Sequence, residues 1–241
     1  PLNHLATLDL RHHYLTGPVL ERIWAACAPA VVEGGEAEEA LGRATAEVHL
    51  ALAEALPTQR LERAETEGLA AAMDRRLHAA AQAVPALLPY VPGLRAVFAA
   101  AGEAEGAGAV QRIHGDLHLG QTLRGSDGGW AVIDFEGEPA KPLEERRRPQ
   151  PTVRDVAGML RSFDYAARTH RPWNAEWAAR CRAAYCTGYA EVAGADPRTD
   201  PALLRAYETD KAVYEVVYEA RHRPDWLPVP LAAIHRLATP P

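Results

Sequence analysis

The stretch that decides the reading is His114-Gly115-Asp116-Leu117-His118-Leu119-Gly120-Gln121, followed after a turn by Asp134-Phe135-Glu136. Val110 to Ile113 just ahead of it is a short apolar run, and Gln121 to Leu123 is another. Gly125-Ser126-Asp127-Gly128-Gly129 supplies turn chemistry before Trp130-Ala131-Val132-Ile133-Asp134, so the segment predicts a β-hairpin. Asp116 then sits on a loop after a short strand, Gln121 where the hairpin begins and Asp134 where its returning strand ends. Phosphoryl transfer asks for such a set. A carboxylate must orient the attacking hydroxyl and take its proton. Oxygen ligands must hold the metal ions that bridge the phosphates. Asp116 suits the first task; the amide oxygen of Gln121 and the carboxylate of Asp134 suit the second.

Outward from this stretch the texture is helical. Apolar residues between Leu15 and Trp24 predict a helix over 18–28. Leu41, Val48, Leu52 and Leu56 repeat at helical spacing until Pro57 stops them, and Leu69, Met73, Leu77 and Val84 form one face of a second helix ending at Pro85. A shorter helix over 94–101 leads into a Gly-rich break at 102–108, and a charged loop spans 144–151. Thr152 with Asp155 resembles a capping box ahead of Val156, Leu160 and Phe163. Asn174 caps a helix through Trp177, Cys181, Tyr185 and Val192; a long helix covers 201–221 and a terminal one 231–237. Trp173 and Trp177 read as core, and the run Arg146-Arg147-Arg148 as a solvated loop.

Composition excludes several classes. Of 241 residues, 48% are apolar and 24% charged, which is ordinary for a soluble globular chain. A net charge of −6 argues against nucleic acid as a partner, and no apolar run is long enough to span a membrane. Three cysteines, Cys27, Cys181 and Cys186, lack metal-ligand spacing and suggest thiols in a reducing compartment, the cytoplasm. His114-x-Asp116-x-His118 lacks the further histidines of a zinc or dinuclear hydrolase. The only lysines are Lys141 and Lys211.

The loop HGDLHLGQ with IDFEGEP resembles the catalytic and metal-binding loops of the aminoglycoside-phosphotransferase-like kinases. Gln121 stands where most of that superfamily has asparagine, a feature shared with bacterial maltokinases. LGRATAEVHLALAEALPT, the segment from IDFEGEP to RSFDYAA, and DKAVYEVVYEARHRPDWLPVPLAAIHRL are also similar to maltokinases, over roughly 40–240. The resemblance implies an α+β, mostly helical fold: the C-terminal lobe of a protein-kinase-like enzyme, with a small catalytic hairpin. It implies ATP and Mg²⁺ as cofactors, maltose as acceptor, maltose 1-phosphate as product, and trehalose synthase-type enzymes as pathway partners. Asp116 matches the catalytic aspartate, and Gln121 and Asp134 the Mg²⁺ ligands. His114 is expected to fix the catalytic loop, and His118 to be structural. Glu136 either approaches the metal or hydrogen-bonds the loop.

On this reading residues 1–35 form an unassigned helical segment and 36–241 the lobe, with a catalytic loop over 113–136 and a sugar-binding helical part over 152–241. Lys211, Tyr214, Glu215, Tyr218 and Arg221 recur at helical spacing and offer a sugar wall, or else the core and solvated faces of an amphipathic helix. The small lobe that covers ATP in such kinases, with its phosphate-pairing lysine, has no counterpart before Lys141. The chain, starting at Pro1 rather than Met, then reads as a fragment that binds ATP weakly by itself. Two alternatives stand beside a maltose kinase. One is a noncatalytic sugar-binding or scaffold remnant. The other is a kinase for glucosamine or an aminoglycoside, against which the mixed signs of the last long helix argue.

Overall fold

Among the described residues, helices and two short antiparallel ladders make up the fold, in keeping with the predicted α+β, mostly helical class. The computed structural model describes residues 35–104, 108–126, 128–138, 141–168 and 173–239, so the predicted helix over 18–28 and Cys27 lie outside the described residues. Along the chain run α1 (Glu36–Ala55), β1 (Gln59–Arg60), α2 (Arg63–Ala83), α3 (Val91–Glu103), β2 (Ala109–Val110), β3 (Thr122–Arg124), β4 (Trp130–Val132), α4 (Leu143–Arg147), α5 (Val153–Arg168), α6 (Ala175–Ala193), α7 (Pro201–His222) and α8 (Pro228–Ala238).

Two glycines set the tightest helix crossing. A Cβ on Gly42 of α1 would lie 2.1 Å from the Tyr185 carbonyl oxygen, and one on Gly188 of α6 only 2.0 Å from that of Glu39. The backbones of α1 and α6 therefore meet almost directly. This rotates the buried face of α1 onto Leu41, Gly42, Thr45, Ala46 and His49. The expected face fails at its end, where Leu56 is exposed. Residue period alone gives a stripe but cannot say that a glycine contact fixes its centre.

Helix α2 buries Met73 and Leu77 as its periodicity predicts, and a capping box between Glu62 and Glu65 starts it. Helix α7 is central, packing on α2, α3, α5 and α8. Trp177, Tyr185, Phe98, Phe163 and Met159 are fully buried in the shared core. Asn174 caps α6 through its Oδ1, which accepts the Trp177 N–H at 2.9 Å. Trp177 is core, but Trp173, ahead of the cap, is 36% exposed. Cys181 and Cys186 are buried, and Cys181 Sγ lies 3.5 Å from Glu38 Oε1.

The predicted hairpin is present, with Thr122 paired to Val132 and Arg124 to Trp130. A ladder that the sequence did not signal pairs Gln59 with Val110. The charged segment after the hairpin is not simply solvated. It forms α4, and Arg146 donates from Nε to the Lys141 carbonyl (2.7 Å) and from Nη1 to that of Glu136 (3.4 Å). No described helix is long and apolar enough to cross a membrane.

Candidate active site

The loop over 114–121 hangs on a buried carboxylate. Asp155, in the first turn of α5, accepts the backbone N–H groups of His114 (2.8 Å) and Gly115 (2.9 Å), and its Oδ2 meets His49 Nε2 at 3.1 Å. Asp155 does not form the capping box expected with Thr152, because its side chain turns inward to the loop. Burial alone would raise its pKa, but hydrogen bonds from His49 and the loop backbone hold it below the ordinary carboxylate value. Gly115 at φ +87° lets consecutive N–H groups converge on one carboxylate. Tyr189 Oη at 2.9 Å from His49 Nδ1 fixes the histidine from α6.

His114 ties the loop to the hairpin. Its Nδ1 accepts the Asp116 N–H at 3.3 Å, so the ring proton is on Nε2 and is donated to the Ile133 carbonyl at 2.8 Å. The neighbouring Asp134 is, among the described residues, the one non-glycine with positive φ, at +66°. Such a backbone is strained for a side-chain-bearing residue and tends to occur at working sites. Across the base of the hairpin, Gln121 Nε2 donates to Asp134 Oδ2 at 3.2 Å. The fold thus brings Gln121 and Asp134 together.

Asp116 follows His114 by two residues on the same loop. Its side chain is 12% exposed, and its Oδ1 is 3.4 Å from Lys211 Nζ on α7. The charges of Asp116, Lys211, His114 and Asp134 all act on the His118 ring. Burial lowers the His118 pKa to about 4, with Asp116 opposing, so the ring is neutral near pH 7. Its Nδ1 accepts the Gly120 N–H at 3.0 Å, leaving the proton on Nε2.

A small open cleft runs from here between α5 and α7, lined by His118, Ser162, Tyr165, Lys211, Glu215 and Arg223. Gly158 completes the wall; a Cβ there would lie 2.5 Å from the Leu117 carbonyl, so only glycine lets α5 approach the 114–121 loop this closely.

The expected sugar wall divides. Lys211 and Glu215 line the cleft. Tyr214 and Tyr218 stack on each other at 6.3 Å along the outer side, Lys211 lying over the Tyr214 ring at 5.6 Å. Arg221 is exposed and does not line the cleft. Glu136 is exposed as well, and its backbone carbonyl accepts from Arg146 of α4.

Sequence reasoning missed the charge network behind the cleft. Arg161, 1% exposed, donates from Nε (2.9 Å) and Nη2 (2.6 Å) to Oε2 of Glu215 and from Nη1 to Asp164 (2.5 Å). Burial raises the Glu215 pKa and Arg161 counters it. One turn on, Glu219 accepts from Tyr165 Oη (3.0 Å) and from both Arg223 Nε (2.9 Å) and Nη2 (2.6 Å). Trp226 stacks on Tyr165 at 6.2 Å. Arg161, Tyr165, Glu215 and Glu219 lie in segments read as helix, and Arg223 and Trp226 in the Pro-rich segment after it; no local pattern marks Arg161 as the partner of a residue 54 positions away.

The donor set suits a hard cation. Among the described residues no three His, Cys, Asp or Glu side chains form a protein-only cage. One carboxylate and one amide oxygen, completed by phosphate oxygens and water, is how Mg²⁺ is commonly held.

Residues 10–207 match the model of the APH phosphotransferase enzyme family. The chain belongs to that family. Among curated relatives of this APH-family chain, a glucosamine kinase of Streptacidiphilus jiangxiensis is 33% identical over 207 residues, 79% of this chain and 46% of the relative. A glucosamine kinase of Mycolicibacterium smegmatis is 37% identical over 134 residues, 52% of this chain and 33% of the relative. A solved glucosamine kinase superposes with a TM-score of 0.77 at 27% identity, over 90% of this chain and 56% of that one. Another, in complex with glucosamine, ADP and inorganic phosphate, gives 0.72 at 28%, over 83% and 54%. The chain thus spans about half or less of the relatives it matches. These relatives support the kinase family and favour the glucosamine alternative over the maltokinase assignment drawn from sequence.

Proposed function

We propose that this chain supplies the catalytic loop and acceptor side of a kinase that moves the γ-phosphoryl group of ATP to a hydroxyl of an amino sugar of the glucosamine type. The observation that carries the choice of acceptor is Glu215. The residue is 5% exposed and lines the cleft, and both Arg161 bonds fall on Oε2, so they leave Oε1 unused. A buried carboxylate placed this way suits a substrate ammonium. The mixed signs of α7 are sorted by face: Glu208, Glu215 and Glu219 point inward, whereas Arg221 faces solvent. That removes the sequence argument against a cationic sugar.

In this reading Asp116 orients the acceptor hydroxyl and takes its proton, and the neutral His118 donates from Nε2 to the sugar. Tyr165, backed by the stacked Trp226, gives one wall an aromatic surface. Gln121 and Asp134 would hold Mg²⁺, which would neutralise charge on the phosphates of ATP. Asp155 and His114 keep the loop fixed while this happens.

A second acceptor reading, a disaccharide such as maltose, draws on the Tyr214–Tyr218 stack, with Tyr214 36% exposed just outside the cleft. It would take one ring beyond the cleft onto the tyrosines, and trehalose synthase-type partners belong to it alone. Calorimetric titration of glucosamine, glucose and maltose separates the two. Binding in the order glucosamine above glucose supports the amino-sugar reading; maltose binding tighter than both overturns it.

A further inference from the structure

We infer that Lys211 is a catalytic residue that meets the transferring phosphoryl group, not a ligand of the sugar. The inference rests on the reading of Asp116 as the base. In the transfer step the sugar hydroxyl oxygen forms a bond to the γ-phosphorus. The bond from that phosphorus to the β,γ-bridging oxygen breaks, its electron pair leaving on ADP, and the hydroxyl proton passes to Asp116. Two anionic groups, a carboxylate and the γ-phosphoryl, therefore close on one hydroxyl from opposite sides. A cation touching the carboxylate lies within one layer of atoms of the equatorial phosphoryl oxygens, where charge accumulates.

Lys211 is placed there. It projects from α7 to within 3.4 Å of Asp116 Oδ1 and lines the cleft mouth against the Tyr214 ring. Of the other cations at the cleft, Arg161 meets Glu215 and Asp164, and Arg223 meets Glu219. Lysine suits the role, since a compact ammonium with three rotatable donors can bridge Asp116 and a phosphoryl oxygen and follow that oxygen as the bond forms. The remaining lysine, Lys141, lies with Glu138 and Glu145 beyond the hairpin.

Having lysine at two positions makes the test direct. The 241-residue chain is labelled with ¹⁵N-lysine, and the side-chain ammonium resonances are assigned with Lys141→Arg. Inorganic phosphate should shift the Lys211 resonance saturably and leave that of Lys141 unmoved. Lys211→Met should weaken phosphate binding by about tenfold or more, the scale of one charged hydrogen bond, while glucosamine affinity changes less than about twofold. A Lys211 resonance indifferent to phosphate overturns the inference. So does a Lys211→Met variant that loses sugar affinity and keeps phosphate affinity. Absence of a glucosamine preference in the unsubstituted chain instead sinks the amino-sugar reading and leaves the phosphate result standing.

Discussion

The carboxylate of Asp155 accepts the backbone N–H of His114 at 2.8 Å, so the residue two before the proposed base is anchored from the first turn of α5. With Gly115 and His49 on the same carboxylate, the anchor is buried and fully used. Asp155→Ala should cost about 3–5 kcal/mol, because it strands buried donors and an imidazole. Asp155→Asn should cost less. Urea unfolding of the variants checks both. The sign with pH follows from the depressed pKa. The contribution is present above the ordinary value of 3.8 and is lost as pH falls through the lower folded value. Below pH 4 the parent chain should lose stability more steeply than Asp155→Asn.

Asp116→Asn tests the base. A hydroxyl that must lose its proton without an acceptor reacts slowly, by about 10²–10⁴-fold. In a form of the protein that turns over, Asp116→Asn should lower kcat by that order with glucosamine affinity retained. Retention of most activity would remove Asp116 from the role.

Much of this arrangement was legible in the sequence, for local reasons. The hairpin was visible because Gly125 to Gly129 has turn chemistry between β-branched runs, and that hairpin alone brings Gln121 to Asp134. The Asn174 cap and the Met73–Leu77 face were equally local. What stayed hidden depends on distant partners. Asp155 resembled a cap residue because Thr152 precedes it at capping distance; its real partners, His114 and Gly115, are some 40 positions earlier. Leu56 followed the period of α1, yet the helix ends at Ala55 and Leu56 stands exposed in extended backbone beyond it. Charges on α7 looked evenly mixed because a linear reading does not separate Glu215 and Glu219, inside, from Arg221, outside.

His118 gives the fold a second acid sensitivity, at higher pH than Asp155. Its folded pKa of about 4 lies below the ordinary 6.5, so the unfolded chain binds the extra proton first. Stability should fall as pH drops from about 6.5 toward 4 and level off below. Protonation would also cost the Gly120 N–H its acceptor on Nδ1. Thermal melts of the metal-free chain across this range should show the slope, and His118→Gln, which has no proton to gain, should flatten it.

The Arg161–Glu215 pair should behave as buried ion pairs do. Arg161→Met leaves Glu215 charged and unpaired, a loss of about 3–5 kcal/mol. Adding Glu215→Leu should recover most of it, since two apolar side chains can fill the same space. The double variant should nonetheless lose the preference for glucosamine over glucose. Chemical denaturation reads the first effect and calorimetry the second. A double variant that is stable and still selective would show that Glu215 is not the ammonium ligand.

Two glycine substitutions should move stability in opposite directions. At Gly188 an added methyl would lie 2.0 Å from the Glu39 carbonyl, which is backbone and cannot swing aside. Helix α6 would have to slide off α1, and with it Tyr189, the hydroxyl that steadies His49 behind Asp155. Gly188→Ala should therefore cost at least the ~1–3 kcal/mol typical of overpacking and should loosen the catalytic loop as well. Gly68 lies in the exposed interior of α2, with nothing within 4 Å of a built Cβ. There alanine restrains the unfolded chain and favours the helix, so Gly68→Ala should stabilise by about 1 kcal/mol. Amide hydrogen exchange at His114 and Gly115 distinguishes the two routes: protection should fall selectively in Gly188→Ala and hold or rise in Gly68→Ala. Equal protection in both variants would mean that the α1–α6 crossing does not support the loop.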